Sequence, residues 1–241
     1  MIIEGNVSVK AALLGKKREI KCIFVDKNKN DKDTSWILRQ AKQQQIQIQY
    51  QTREEIDTLA TGRTHGGLLA EVSSRIYQTK EDTVNNECPF VVLLEGVEDP
   101  FNLGYVMRTL YSAGCTGILL RNRNWENAES TIMKSSAGAS EYINVVLSDD
   151  LSEDVKWYKK QGLKCFAAMR KDAVSCYECS YQEPCLIAIG GEMRGLSSKV
   201  CKEIDQNIFI PYANDFRNAL NAAGASAVLG FEVYRQRNVC L

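Results

Sequence analysis

The chain has 241 residues, 30 Lys plus Arg balanced by 30 Asp plus Glu, 44% hydrophobic and 25% charged. Those proportions leave room for one large or two small domains and exclude a disordered, fibrous or collagen-like chain. A formal net charge of zero excludes bulk attraction to a polyanion, so any nucleic-acid partner is held by a local patch.

The N-terminal "MIIEGNVSVKAALLGKKR" lacks the long apolar stretch of a secretory signal, and no later run reaches membrane-spanning length, which predicts a cytoplasmic protein with no membrane partner. "NVSVKAALLG" reads as a helix that Asn6 can cap and Gly15 can end. "IKCIFVD" follows as a strand, "DTSWILRQAKQQQ" as an amphipathic helix, "IQIQYQ" as an alternating strand and "TREEIDTLA" as a short helix with Thr52 and Glu55 in capping-box spacing. "GGLLAEVSS" closes a small α/β unit over residues 1–78. "TKEDTVNNEC", residues 79–88, is polar and aperiodic and reads as a linker.

From residue 89 to 241, apolar runs recur: "FVVLL", "GILL", "INVVL", "LKCFAA", "CLIAI" and "NIFIP". Alternating with helix-length segments, they predict an α/β domain with a parallel sheet covered on both faces. The nine cysteines (Cys22, Cys88, Cys115, Cys165, Cys176, Cys179, Cys185, Cys201, Cys240) are scattered and read as buried thiols. Cys176 and Cys179 have metal-ligand spacing, but no second pair completes a site, so no metal is expected. His65, the only histidine, reads as a turn residue or an RNA contact. The cations of "GKKREIK" with Lys10 could touch phosphates or form a solvated face.

Three stretches carry chemistry. In "EGVEDPFNLGYVMRTLYSAG" a buried strand runs into a loop where Pro100 breaks regular structure and Asn102 can cap the next helix. Leu103, Val106, Met107, Leu110 and Tyr111 lie at helical spacing, which turns Arg108 away from the packed face. On this stretch alone the pair also reads as a cap and a surface arginine. "IAIGGEMRGL" opens a strand onto Gly190, Gly191, Glu192 and Gly195, a loop whose bare backbone could approach a flat ligand. Its spacing is not the dinucleotide fingerprint, which argues against an oxidoreductase. "IPYANDFRNALNAAGASAVLGFEVYRQR" places Gly224 and Gly230 inside an Ala-rich helix, which suits a tight chain crossing, a close subunit contact or a plain buried helix.

Together with "SSAGASEYINV", these motifs resemble, in order and spacing, the SpoU (TrmH-like) branch of the SPOUT RNA methyltransferases. Residues 1–78 resemble the α/β substrate-binding domain that often precedes them. The resemblance implies a trefoil-knotted parallel sheet, a homodimer, S-adenosylmethionine as cofactor and methylation of a ribose 2′-hydroxyl in ribosomal or transfer RNA. Carried over, Asn102, Arg108, Glu192 and Asn221 are the catalytic set, and Gly190, Gly191, Gly195, Ile210 and Leu220 hold the cofactor. Removing a proton from an arginine at neutral pH costs about 8 kcal/mol, so Arg108 is expected to act as a cation. The chain departs from the family where it carries Ala219 before Leu220–Asn221 in place of Ser, and Ala223 in place of a second Ser. A rival reading is an RNA-binding dimer of the same fold with weakened or lost catalysis.

Overall fold

The computed structural model describes residues 1–215 and 218–238; Cys240 lies outside the described residues. In chain order the elements are β1 (Ile2–Glu4), α1 (Gly5–Gly15), β2 (Ile20–Asp26), α2 (Lys32–Gln43), β3 (Gln47–Gln51), α3 (Arg53–Leu59), β4 (Leu68–Val72), β5 (Phe90–Glu95), α4 (Pro100–Ser112), β6 (Gly117–Arg121), α5 (Glu129–Ser135) and β7 (Val145–Ser148). There follow α6 (Leu151–Lys160), β8 (Lys164–Ala168), β9 (Ala173–Ser175), β10 (Cys185–Gly190), α7 (Ser198–Glu203), β11 (Gln206–Phe209) and α8 (Ala222–Asn238). None of these helices is long and apolar enough to cross a membrane.

The chain forms two compact units, Met1–Ile76 with Trp125–Tyr142, and Tyr77–Asn124 with Ile143–Leu241. The first holds the sheet β1-β4-β2-β3, antiparallel except for β2 with β3. The capping box at α3 forms as its spacing predicts, Thr52 accepting from the Glu55 amide while Glu55 accepts from the Thr52 amide. Asn6 does not cap α1. Glu4 takes that position, and the Asn6 amide donates instead to Asp31 Oδ1 at 2.9 Å.

The segment 125–142, which the apolar pattern of the sequence assigns to the second domain, packs with the first unit. Met133 enters the core of Ile3, Val9, Leu13, Ile23 and Leu68, and a buried ionic network accompanies it. Buried Arg18 donates to Glu141 through Nε (2.9 Å) and a terminal nitrogen (3.1 Å), and to Glu129 at 2.8 Å. Arg75 reaches the same Glu141 at 3.4 Å. A sequence read for apolar periodicity gives no sign of a charge-paired core. Gly15 is the last residue of α1, but Lys16 takes the left-handed capping conformation at φ +53°; the glycine is needed because a Cβ would lie 2.0 Å from the Glu141 carbonyl oxygen.

Glu4 is the third carboxylate built into this unit. It accepts from the Thr61 amide (2.6 Å), the Thr61 hydroxyl (2.8 Å), the Gly62 amide (2.9 Å) and Lys134 Nζ (2.6 Å). Burial alone would raise this carboxyl, but Lys134 and then Thr61 and Gly62 more than offset it and hold it at about 2, against an ordinary 4.5. A lowered folded-state value stabilises the fold above the unfolded value, and the contribution is lost as pH falls toward 2. Glu4→Gln is therefore expected to flatten the acid-side loss of first-unit stability between pH 4.5 and 2 by on the order of 2 kcal/mol. Superimposable pH profiles from urea melts of the two proteins would refute it.

The second unit is built on the sheet β7-β6-β5-β10-β8-β11-β9, in which every pair is parallel. The apolar runs of the sequence supply its strands, and β5 is buried along its whole length. The segment read as a linker is packed into this unit. Thr83 is buried in a 3₁₀ turn, its hydroxyl lies 2.9 Å from that of Tyr158, and a Cβ at Gly117 would meet its methyl at 2.3 Å. Burial pushes the thiols of Cys115, Cys165 and Cys185 up to about 12, so they remain protonated apolar packing at neutral pH.

Candidate active site at the C-terminal ends of the strands

The strand order changes direction between β5 and β10: β6 and β7 lie beyond β5 on one side, and β8, β11 and β9 lie beyond β10 on the other. At such a switch point the loops leaving two adjacent strands diverge and open a crevice. Here those loops are 96–99 after β5 and 191–197 after β10. A cleft of about 370 Å³ opens between them, lined by Val97, Glu98, Asp99, Asn102, Glu192, Met193, Arg194 and Ala222, with Gly96 and Gly191 at its base.

Asn102 reaches this cleft from a different position than the sequence suggests. Asp99 caps α4, accepting the Asn102 amide at 2.7 Å, and Pro100 begins the helix. A proline lacks only an N–H that the first helical turn leaves unpaired, so the Asp-Pro pair starts the helix where the sequence reading has it break regular structure. Asn102 is thereby left out of the capping role and lines the cleft.

The glycines of the loop after β10 serve backbone packing. A Cβ on Gly191 would lie 2.1 Å from the Gly96 carbonyl oxygen, and one on Gly190 would lie 2.5 Å from the Gly195 carbonyl carbon. Gly191 donates to the Glu95 carbonyl at 2.6 Å and accepts from Gly195 at 3.0 Å, which closes a tight turn. Gly195 adopts φ +62° there and lines neither cleft. Glu192, Met193 and Arg194 stand exposed at the tip, Met193 at 97%.

On the other side of the Gly190–Gly191 step lies a second cleft, over the ends of β8, β10 and β11. Its volume is about 110 Å³. Ile189, Gly190, Ile208, Ile210 and Leu220 give it apolar walls, with Met169, Arg170, Tyr212 and Ala219 around them. The loop over this cleft is pinned from within. Tyr212 Oη accepts from the Leu220 amide at 2.9 Å, and Arg170 donates to the Asn218 carbonyl at 3.3 Å and lies over the Tyr212 ring at 5.0 Å. Arg170 and Tyr212 escape a sequence reading because their partners lie 48 and 8 residues away and neither belongs to a periodic pattern.

The structure thus gathers Asn102, Glu192 and Gly191 at the first cleft, and Gly190, Ile210 and Leu220 at the second. Asn221 sits at the start of α8 and caps it, Oδ1 accepting from the Gly224 amide at 2.8 Å. Arg108 lies exposed on α4 and lines neither cleft; among the described residues its guanidinium has no partner. The Ala-rich helix is explained at Gly230, where a Cβ would come within 3.2 Å of Ala113 and 3.3 Å of Leu110, so α8 packs closely on α4. His65 is buried, its Nδ1 accepting from Gly67 and its Nε2 3.0 Å from Asp57, which makes it a turn residue. Among the described residues no three metal-ligating side chains converge.

A parallel sheet with a polar and an apolar cleft on the two sides of one glycine crossing at its switch point defines an α/β protein of the open, doubly wound kind. Residues 89–231 match the SpoU rRNA Methylase family and residues 2–78 match the family described as RNA 2'-O ribose methyltransferase substrate binding. The chain belongs to the SpoU rRNA methylase family. It is 32% identical over 207 residues to YacO of Bacillus subtilis, named for the TrmH family of tRNA/rRNA methyltransferases, covering 84% of this chain and 82% of that one. To RlmB of Pectobacterium atrosepticum, a 23S rRNA (guanosine-2'-O-)-methyltransferase, it is 28% identical over 98% of both chains. The fold is shared with an AdoMet-bound rRNA methyltransferase from Sinorhizobium meliloti, with a TM-score of 0.81 and 21% identity over 97% of this chain and 86% of that one.

Proposed function

We propose that this protein is an S-adenosylmethionine-dependent methyltransferase that modifies a ribose 2′-hydroxyl of ribosomal or transfer RNA and works as a homodimer. The observation that carries the reading is the meeting of the two clefts at Gly190–Gly191, one apolar and one lined by Asn102 and Glu192. The apolar cleft suits the cofactor: Ile189, Ile208, Ile210 and Leu220 offer surfaces for a flat base, and the strand ends beside Gly190 offer main-chain donors and acceptors. The AdoMet in the Sinorhizobium protein and the ribose chemistry in the name of the Pectobacterium relative support the same assignment.

When bound, S-adenosylmethionine supplies an electrophilic methyl group. The chain's own residues then have to orient the acceptor ribose and stabilise the charge that grows on its oxygen as the hydroxyl proton leaves. Asn102 and Glu192 line the space where that ribose would lie. Arg108, exposed on α4 and without a partner among the described residues, offers a permanent cation to the adjoining phosphate or to the developing alkoxide. A second copy of the chain would cover Phe101 and Tyr105 of α4 and Phe231 and Tyr234 of α8, all at least 41% exposed, on two helices that pack together. In the family this sheet carries a knotted C-terminal segment, which the resemblance extends to this chain.

Calorimetric titration with S-adenosylmethionine, followed by transfer of labelled methyl to bulk RNA, tests the reading. Binding with transfer is the expected result. Arg108→Ala is expected to lower transfer by roughly 10²-fold or more while leaving cofactor affinity unchanged; full retained transfer would remove Arg108 from the mechanism. A folded dimer that binds RNA but not the cofactor would instead make Ala219 and Ala223 the marks of lost catalysis.

A further inference from the structure

Glu95 is a carboxylate that the motifs pass over, at the C-terminal end of β5 and only 7% exposed. Three bonds converge on it. Its main-chain carbonyl accepts from Gly191 at 2.6 Å, its Oε2 accepts from the Ser197 amide at 2.8 Å, and its Oε1 accepts from Arg121 at 3.1 Å. Gly191 is the first residue of the turn that carries Glu192, and Ser197 lies just beyond its end and caps α7. One residue therefore holds both feet of the loop, while the Gly191–Gly195 pair closes it in between.

We infer that Glu95 is a positioning residue for methyl transfer, holding the Glu192 loop at the acceptor cleft through its carboxylate bond to Ser197 and its main-chain bond to Gly191. A buried carboxylate is unfavourable unless it is paired and hydrogen-bonded, and both of its side-chain oxygens are engaged here. The main-chain bond survives any side-chain change, so substitution releases the far foot of the loop and leaves the near one attached. The loop tip, with Met193 and Arg194 exposed, then swings while the apolar cleft beyond Gly190 keeps its walls. This inference rests on the proposed methyltransferase activity for its kinetic part alone.

The test compares Glu95→Ala, which removes both side-chain bonds, with Glu95→Gln, which keeps an acceptor for Ser197 and loses the charge facing Arg121. Two readouts are taken: the rate of tryptic cleavage after Arg194, and kcat, KM for RNA and cofactor affinity. Glu95→Ala is expected to speed cleavage after Arg194 about 10-fold and to lower kcat by on the order of 10²-fold, as misplacement of about 1 Å at a reacting centre does. Cofactor affinity is expected to stay within about threefold, because the second cleft is untouched, and Glu95→Gln to recover most of both losses. Unchanged cleavage and kcat in Glu95→Ala would overturn the inference. So would a fall in cofactor affinity matching the fall in kcat, or faster cleavage throughout the chain, since either means general loosening. Should Glu95→Ala not fold, Glu95→Asp, which is one methylene shorter and draws the carboxylate away from the Ser197 amide, is expected to lower kcat several-fold with the same Arg194 signature; no change in either would overturn it. A wild-type protein with no transfer activity would defeat the proposed function, while the cleavage comparison still decides whether Glu95 holds the loop.

Discussion

Glu141→Ala is expected to unfold the first unit selectively, at a cost of about 3–5 kcal/mol. The carboxylate is fully buried and takes two bonds from Arg18, whose own side chain is only 2% exposed. Without it the guanidinium keeps Glu129 at 2.8 Å and loses two of its three carboxylate bonds in a place water does not reach. Burial disfavours the charged form of Arg18, and Glu141 and then Glu129 reverse that and hold its pKa above the ordinary arginine value. Hydrogen exchange read by mass spectrometry separates the two units: peptides over β2 and β4 should lose protection while those over β5 and β10 keep it. A loss of less than about 1 kcal/mol, the worth of a surface pair, would show that the network is solvated. The same reasoning predicts that a fragment of residues 1–78 folds poorly, because Glu129, Lys134 and Glu141 are all contributed from beyond it.

Gly191→Ala should be the most damaging single methyl in the second unit. The new Cβ would sit 2.1 Å from the Gly96 carbonyl oxygen and 2.5 Å from its carbon, and both neighbours are backbone, so no side chain can swing away. Either the loop after β5 or the loop after β10 must move, and these are the two walls of the acceptor cleft. Overpacking of this kind costs about 1–3 kcal/mol, which a sheet buried on both faces tolerates, so the protein should remain folded. The displaced loops should lower methyl transfer by roughly 10²-fold. Gly195→Ala is the control. Open space surrounds a Cβ there, and only φ +62° opposes it, so stability should fall by about 1 kcal/mol with a smaller loss of transfer. Equal activity of Gly191→Ala and wild type would mean that the two loops do not set the cleft.

The amino-acid sequence by itself determined the central strands of both units, the helices of the first and the residue types of the site; the short edge strands β1 and β9 and the helix α5 carry no such pattern. Burial on both faces makes each central strand a continuous apolar run, as in "FVVLL" and "CLIAI", and local capping chemistry is legible at Thr52 and Glu55. Asn102, Glu192 and Leu220 stand out because their motifs combine polar residues, glycines and a strand end at fixed spacing. What only the tertiary structure decided are contacts between residues far apart in the chain. Arg18 among the basic residues of "GKKREIK" looks like a surface cation, and it is turned inward because carboxylates 111 and 123 residues away enclose it. Gly191 looks like a ligand-facing glycine, and it is needed because the backbone of Gly96 passes against it. Glu95 reads as the end of a buried strand, and its role emerges only when β10 lies beside β5 and brings Ser197 within 2.8 Å. Periodicity and capping act over a few residues of chain, whereas charge burial and backbone packing depend on which segments the fold brings together.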